Sequence, residues 1–433
     1  MVHHRRAAFE SAADHLDLTL VWVRRLTPLL AAFAIAAIIL GMAPAKNLGS
    51  IWGLLLLAAL ALAWVILQPA GTFRDDFLPA GAVLIAAAGL AMIARLSSAL
   101  AQKQELWLFI SLVLVLALGP AFARFRRLAA FKYLWVIGSI ALFALLAIFG
   151  QEVNGARLWI RIGSVQYEPI ELIKLFIVFF LAAYLAETAD VIANARPWSI
   201  RANLKYLGPL FIGWGASMAI LVLEHDLGMA VLLLATFIAV LYVATRRIDL
   251  ILGSLTTFGI VAVWAAHHFA YVQTRIAVWR DPFGDPLGAG FQSSQGYYSL
   301  AAGGLIGTGY RLGHPGFIPN VATDYIYAAW SEEFGVIGAI VLLMLYLAIV
   351  WRALSIARSQ PDLYTRLLAV GLAATFGFQV IIIVGGVIGL FPLTGITLPF
   401  MSYGGSSLVA NFILITLVWA ISGRSIPARP APR

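Results

Sequence analysis

Cysteine is absent from the 433 residues, which removes disulfides and thiolate metal sites together and leaves the compartment to be read from topology. Charge is scarce as well. Only 11% of residues are charged, against 62% apolar, and mean hydropathy is +0.93; a soluble enzyme carries far more polar surface. Apolar and polar residues do not alternate, which excludes an outer-membrane barrel. Instead the apolar runs continue for about 17–25 residues, enough for a helix to cross a bilayer. There is no internal repeat and no biased tract beyond the short PARPAPR tail. The chain therefore reads as an all-α polytopic membrane protein.

Twelve apolar segments are predicted, at roughly 26–43, 51–68, 77–96, 105–122, 131–149, 169–187, 206–223, 227–244, 250–267, 335–352, 364–390 and 406–421. They define one transmembrane domain, 26–421, between an N-terminal segment 1–25 and a tail 422–433. A secretory signal is excluded: the first apolar run is too long for an h-region, and the leader too long for an n-region. That leader mixes Phe9, Leu16, Leu18 and Val21 with Arg5, Arg6, Arg24 and Arg25. It fits either a helix lying on the membrane face or a disordered tail. The formal charge of +9 does not indicate nucleic acid, because the basic residues sit in short clusters between spans. With the N-terminus cytoplasmic, all of the 29 basic residues fall on the inner side except Lys46, Arg95, Lys103, Arg157, Arg161, Lys174, Arg275, Arg280 and Arg311. The positive-inside rule then predicts a cytoplasmic-membrane protein with both termini inside.

That orientation puts the longest polar connection, 268–334, outside as a large structured loop. It holds Asp281, Asp285, Asp324, Glu332 and Glu333 with Arg275, Arg280 and Arg311, and a connection of this length points to function. Three further outer stretches depart from simple turns. Gly150–Glu168 suggests an interfacial hairpin or short helix. LEHDLG at 223–228 breaks an apolar run with Glu224, His225 and Asp226; the two acids are expected to cap the following helix, with His225 interfacial. The uncharged FPLTGITLPFMSYGGSS at 391–407 carries two prolines and three glycines, and is expected to be irregular and shielded by protein.

Five motifs in series, NGARLWIRIG with EPIELIKL, DLGMA, DPLGAGFQ, TDYIYAAWSEEFGVIG and PLTGITLPFMSYGGSS, make the chain resemble the SEDS family of RodA, FtsW and SpoVE. The resemblance spans about 150–407. It implies a core of ten membrane helices, here with an extra N-terminal pair, and the short tail leans toward the RodA branch. The activity implied is that of an inverting peptidoglycan glycosyltransferase, polymerising lipid II outside the membrane beside a class B penicillin-binding protein that acts as transpeptidase. Elongation and division roles both stay open. The pattern is departed from at Glu168, Phe291, Gly296 and Ala322, where members commonly have Gln, Tyr, Ser, and His or Ser; the acidic framework is kept.

The resemblance puts the family's catalytic aspartate on Asp285. Glycosyl transfer calls for such a group, since a base must take the acceptor hydroxyl's proton, an effect worth roughly 10²–10⁴-fold. Gly288 and Gly290 would let sugar approach the backbone. Read without the family, Asp281-Pro and Asp285-Pro are simply turn formers. The departing polyprenyl pyrophosphate needs cations, for which Arg157, Arg161, Lys174, Arg275 and Arg280 are candidates; Arg157 and Arg161 share a face if their loop is helical. Lys174, three residues after Glu171, fits a snorkelling anchor, a helix ion pair or a functional group. Asp324, Glu332 and Glu333 either meet the dipole at a helix start or, for Asp324 and Glu332, ligate magnesium or manganese. Gln292 and Thr323 are supporting candidates. So are Ser402, Tyr403, Gly404, Gly405 and Ser406, whose hydroxyls, with that of Ser407, are expected to satisfy broken backbone. Two other functions fit the residues: a lipid II flippase, from the interrupted segments at 224–226 and 391–407, and a non-catalytic scaffold for the transpeptidase.

Overall fold

A helix that is apolar all round satisfies its backbone internally, so it can be buried in protein or faced with lipid. The computed structural model, which describes residues 31–32, 34–37, 49–68, 72–122, 124–153, 156–163, 165–195, 205–210, 215 and 226–425, contains both kinds. In chain order its helices are α1 (Gly49–Ile66), α2 (Phe77–Leu96), α3 (Ser98–Phe122), a 3₁₀ turn (Phe125–Phe131) leading into α4 (Lys132–Phe149), α5 (Ile170–Asn194), α6 (Leu227–Thr245), α7 (Ile248–His268), α8 (Ala270–Arg280), α9 (Phe291–Gly303), α10 (Ile326–Arg358), α11 (Leu363–Val387) and α12 (Gly405–Ile421). Among the described residues, eight helices are long and apolar enough to cross a membrane, and α1 and α12 are shorter apolar helices. Ten of the twelve expected segments are accounted for in this way. The other two, 26–43 and 206–223, lie for the most part outside the described residues, as do the leader 1–25, Glu224, His225 and the last eight residues.

Burial sorts the helices into an inner and an outer set. Every residue of α12 is buried. In the apolar windows of α2 and α11, 83% and 78% of residues are buried, against 11% in α7. Ile260 and Val263 of α7 and Ile148 of α4 are largely exposed, so these outer helices turn apolar side chains toward lipid.

Two small sheets join the helices. Thr72–Phe73 (β1) pairs antiparallel with Arg424–Ser425 (β5), tying the α1–α2 connection to the end of α12. Gln151–Val153 (β2), Ala156–Ile162 (β3) and Val165–Tyr167 (β4) form an antiparallel sheet in the order β2-β3-β4. Of the two expectations for Gly150–Glu168, the hairpin is the one that forms.

The 268–334 connection is mostly helical rather than loop. α8 follows α7 after a single extended residue, Phe269, and α9 stands between two turns. Residues 326–334 already belong to α10, which breaks at Gly335 (φ 67°, ψ −173°), so the expected span start at 335 coincides with a kink. Past the break, Val336 N–H and Ile337 N–H donate to the Gly304 and Leu305 carbonyls at 3.0 and 3.2 Å. Only glycine fits there: the φ is left-handed, and a Cβ would sit 2.3 Å from the Gly307 nitrogen.

Candidate active site

The uncharged stretch from Phe391 to Gly404 forms neither helix nor strand. Its polar backbone must find partners elsewhere, and side chains from several helices supply them. Arg275 Nη1 of α8 donates to the Leu393 and Thr394 carbonyls, both at 3.0 Å. Gln379 Nε2 of α11 donates to Thr397 O at 2.8 Å, and the Tyr346 hydroxyl of α10 to Pro399 O at 2.6 Å. Gln104 of α3 donates to Ser402 O at 3.3 Å and accepts from Gly404 N–H at 3.4 Å. Ser402 Oγ accepts from Leu398 N–H at 2.9 Å and donates to Thr323 O at 2.5 Å, while Tyr403 N–H donates to Ala322 O at 2.7 Å. Ser406 Oγ accepts from Glu168 N–H at 2.8 Å, Thr397 and Ser407 bond through their hydroxyls, and Gly404 and Gly405 start α12 with Gly405 packed on Trp107. Ser402 and Ser406 meet backbone groups through their hydroxyls, whereas the Ser407 hydroxyl bonds the Thr397 and Asn411 side chains and Tyr403 contributes its main-chain N–H.

Charged groups gather beside this stretch. Lys174, fully buried, pairs with Glu171 one turn earlier on α5 and donates to Gln379 Oε1 at 2.9 Å. It is therefore an internal ion pair and not a snorkelling anchor. Asp226 caps α6, accepting from Met229 N–H at 3.0 Å. Burial raises its carboxyl to about 6, against the opposing pull of the Met229 bond and the Arg275 guanidinium. Burial likewise raises Asp324 to about 6, opposed by hydrogen bonds from Thr323 and Gln292 and by Arg275. Glu168 is pushed well above the carboxylate range, first by burial and then by Glu171 and Asp226. The Arg275 charge thus acts on both carboxylates, and its guanidinium at the same time braces the irregular stretch.

Against that stretch lies a cavity of about 180 Å³, lined by Arg275, Trp279, Gln292, Tyr297, Asp324 and Leu393, among others. The Asp285 turn reaches it through Ala289. The Asp285 carboxylate is exposed and accepts from Gly288 N–H at 3.0 Å through Oδ1 and from Ala289 N–H at 2.9 Å through Oδ2; Ala289 is itself a cavity residue. The Asp-Pro turn is thus real, and it also presents the carboxylate. The two glycines serve the turn itself: a Cβ on Gly288 would sit 2.2 Å from Asp285 Oδ2, and one on Gly290 2.1 Å from Pro282 O.

Several candidates lie elsewhere. Asp281 and Arg280 are exposed on the turn and at the end of α8. Arg161 is exposed in β3 and donates to its own Gly163 O at 3.2 Å; Arg157 is also in that strand, so the shared helical face does not exist, and its side chain lies outside the described set. Glu332 and Glu333 do not open a helix, since α10 begins at Ile326. They are buried just before the Gly335 break, where a negative charge opposes the dipole. Glu332 is offset by the Ser299 hydroxyl and by His314 N–H at 2.5 Å, and Glu333 by Arg95 Nε at 3.0 Å. Both hold the 304–314 turn in place. Among the described residues, no three acidic or histidine side chains come together to hold a metal ion, and Asp324 and Glu332 keep different partners, so the magnesium or manganese site is not formed by these residues.

Sequence reading missed Gln379, Trp279 and Tyr297. Gln379 had a signal, an amide inside the apolar run of α11; the two aromatics had none beyond their place near the loop.

A buried ion pair, an irregular uncharged stretch and, beside a cavity, a carboxylate-bearing turn define a polytopic membrane protein with a polar site in its helix bundle. The chain belongs to the cell cycle protein family of FtsW, RodA and SpoVE, whose model matches residues 76–425. It is 36% identical over 400 residues to the peptidoglycan glycosyltransferase RodA of Mycobacterium tuberculosis strain H37Rv, covering 88% of this chain and 85% of that protein. It is 37% identical over 277 residues to stage V sporulation protein E of Bacillus subtilis, covering 63% and 73%. Among solved structures, one described as a peptidoglycan synthase complex that coordinates polymerization and crosslinking contains a chain matched with a TM-score of 0.67 and 30% identity, over 81% of this chain and 97% of that one. The rod shape determining protein RodA of Thermus thermophilus matches with a TM-score of 0.59 and 26% identity, over 81% and 96%.

Proposed function

We propose that this chain is a RodA-like peptidoglycan glycosyltransferase that polymerises lipid II at the outer face of the cytoplasmic membrane, with a class B penicillin-binding protein as its transpeptidase. Its relatives carry that activity in their names. The observation that carries the reading is that the Asp285 turn reaches, through Ala289, a cavity that also holds Arg275. In the reaction, an acceptor sugar hydroxyl attacks the anomeric carbon of the donor, its proton passes to the Asp285 carboxylate, and the bond to the polyprenyl pyrophosphate breaks with inversion. Arg275 faces the charge that develops on the leaving group. The 268–334 region lies outside, where the excess of basic residues at the other face puts it.

Full-length protein reconstituted with its transpeptidase should make glycan strands from lipid II, and Asp285→Ala should reduce the rate by at least about 10²-fold. Equal polymerisation by the variant would remove Asp285 from the mechanism. One feature favours a second reading: the buried Glu171–Lys174 pair beside broken backbone has the make-up of a transport site. Lipid II movement across vesicles holding this chain alone, with no strand formed, would select a flippase.

A further inference from the structure

Arg95 lies outside the cavity lining, yet two segments beside the site are tied to it. It is the basic residue in the last turn of α2, where the helix dipole alone would favour a cation. Its guanidinium does more. Nε meets Glu333 Oε1 at 3.0 Å, and Nη2 donates to Gly313 O at 2.8 Å. The next N–H of the chain, that of His314, donates to the Glu332 carboxylate at 2.5 Å. Gly313 C=O and His314 N–H belong to one planar peptide group. That group is therefore clamped on both sides, by a cation from α2 and by an acid from α10.

From this clamp the contacts run along α9 to the Asp285 turn. Thr308 N–H and Gly309 N–H donate to the Glu332 and Glu333 carbonyls at 2.9 and 3.0 Å, which seats the 304–314 turn on α10. The Ser299 hydroxyl of α9 donates to the same Glu332 carboxylate. Farther back on α9, about 7.5 Å along its axis, the Ser294 hydroxyl donates to Pro282 O at 2.8 Å, within the turn that presents Asp285. Between them the Tyr325 hydroxyl, beside the start of α10, donates to Ser293 Oγ at 3.0 Å. Ser294 and Ser299 are both buried, and buried hydroxyls keep the partners that the fold gives them.

We infer that Arg95 is a positioning residue for glycosyl transfer: by clamping the Gly313–His314 peptide against Glu332 and Glu333 it fixes α9, and through Ser294 the turn that carries Asp285. The inference rests on the glycosyltransferase reading and names what holds its base in place. Proton abstraction tolerates little displacement, since a shift of about 1 Å costs on the order of 10²-fold in rate. A mere staple of the bundle would act on stability and leave the turn where it is.

The test uses full-length protein with its transpeptidase and lipid II as substrate. Arg95→Met should lower kcat at least about tenfold while KM stays within about twofold. That variant also strands the buried Glu333 carboxylate, so Arg95→Met combined with Glu333→Gln, which leaves no unpaired charge, is measured beside it. The double variant should recover the thermal midpoint and keep the low kcat. Because the chain has no cysteine, nitroxides on Leu287→Cys, two residues from Asp285, and on Met344→Cys of α10, both exposed, report the position of the turn without any strand synthesis. Their distance distribution should be narrow with Arg95 present and broadened or displaced in the double variant. Either a wild-type kcat or an unaltered distribution in the folded double variant would overturn the inference. A wild type that makes no strands, while the distribution still responds to the double variant, would overturn the glycosyltransferase reading alone.

Discussion

Lys174 is fully buried, and its partners there are Glu171 and Gln379. Removing one member of such a pair leaves the other uncompensated, at a cost of about 3–5 kcal/mol, whereas replacing both by apolar groups costs far less. Lys174→Met should therefore lower the thermal midpoint of the purified protein strongly, and Glu171→Leu with Lys174→Met should recover much of it. An unaltered midpoint in the single variant would mean that the pair contributes nothing. Asp226 gives a pH signature. Its unfolded carboxyl titrates near 3.8 and its folded one at about 6, so between those values the folded state holds a proton that the unfolded state has lost. Stability from this group is full below pH 3.8 and is lost as pH rises through about 6, by up to about 3 kcal/mol. Asp226→Asn keeps the capping oxygen without the titration. Between pH 4 and 7 the wild type should lose stability relative to Asp226→Asn; parallel profiles would show that Asp226 titrates normally.

The elements read from sequence were those with one dominant signal. Continuous apolar runs located ten apolar helices among the described residues, because backbone in lipid has no other way to satisfy itself, although α3, α5 and α10 run about six to nine residues past the expected bounds. α8 and α9 were read as loop because they are short and of mixed polarity, and are placed by what they touch: Arg275 by the Leu393 carbonyl, Gln292 by Pro319 O. Glu332 and Glu333 were read as a helix start because nothing local tells that α10 begins six residues before Glu332. Asp285 could be named from its family motif, but not the two N–H bonds that orient it. Those bonds yield a prediction for the turn. Gly288→Ala puts a methyl where the Asp285 carboxylate lies, so it should cut polymerisation toward the Asp285→Ala level while the thermal midpoint of the bundle stays within a degree or two. Full activity in Gly288→Ala would show that the carboxylate works from another position.

At the scale of the whole molecule, a chain without cysteine can report its own topology, since any single introduced thiol is the only one present. Leu287, 89% exposed on the site face, and Arg358, exposed at the far end of α10, are suitable positions. In intact cells, a membrane-impermeant maleimide should label Leu287→Cys and leave Arg358→Cys unlabelled; the reverse pattern would invert the proposed orientation. The order of synthesis adds a last consequence of the irregular 391–404 stretch. Gln104, Arg275, Ala322, Thr323, Tyr346 and Gln379, which hold its backbone, all precede it in the chain. When it leaves the ribosome most of its partners are already made; among its side-chain contacts the Thr397–Ser407 bond waits for α12. The cavity wall is therefore completed only near the end of translation, so truncated chains lack a finished pocket and cannot engage substrate before the bundle is assembled.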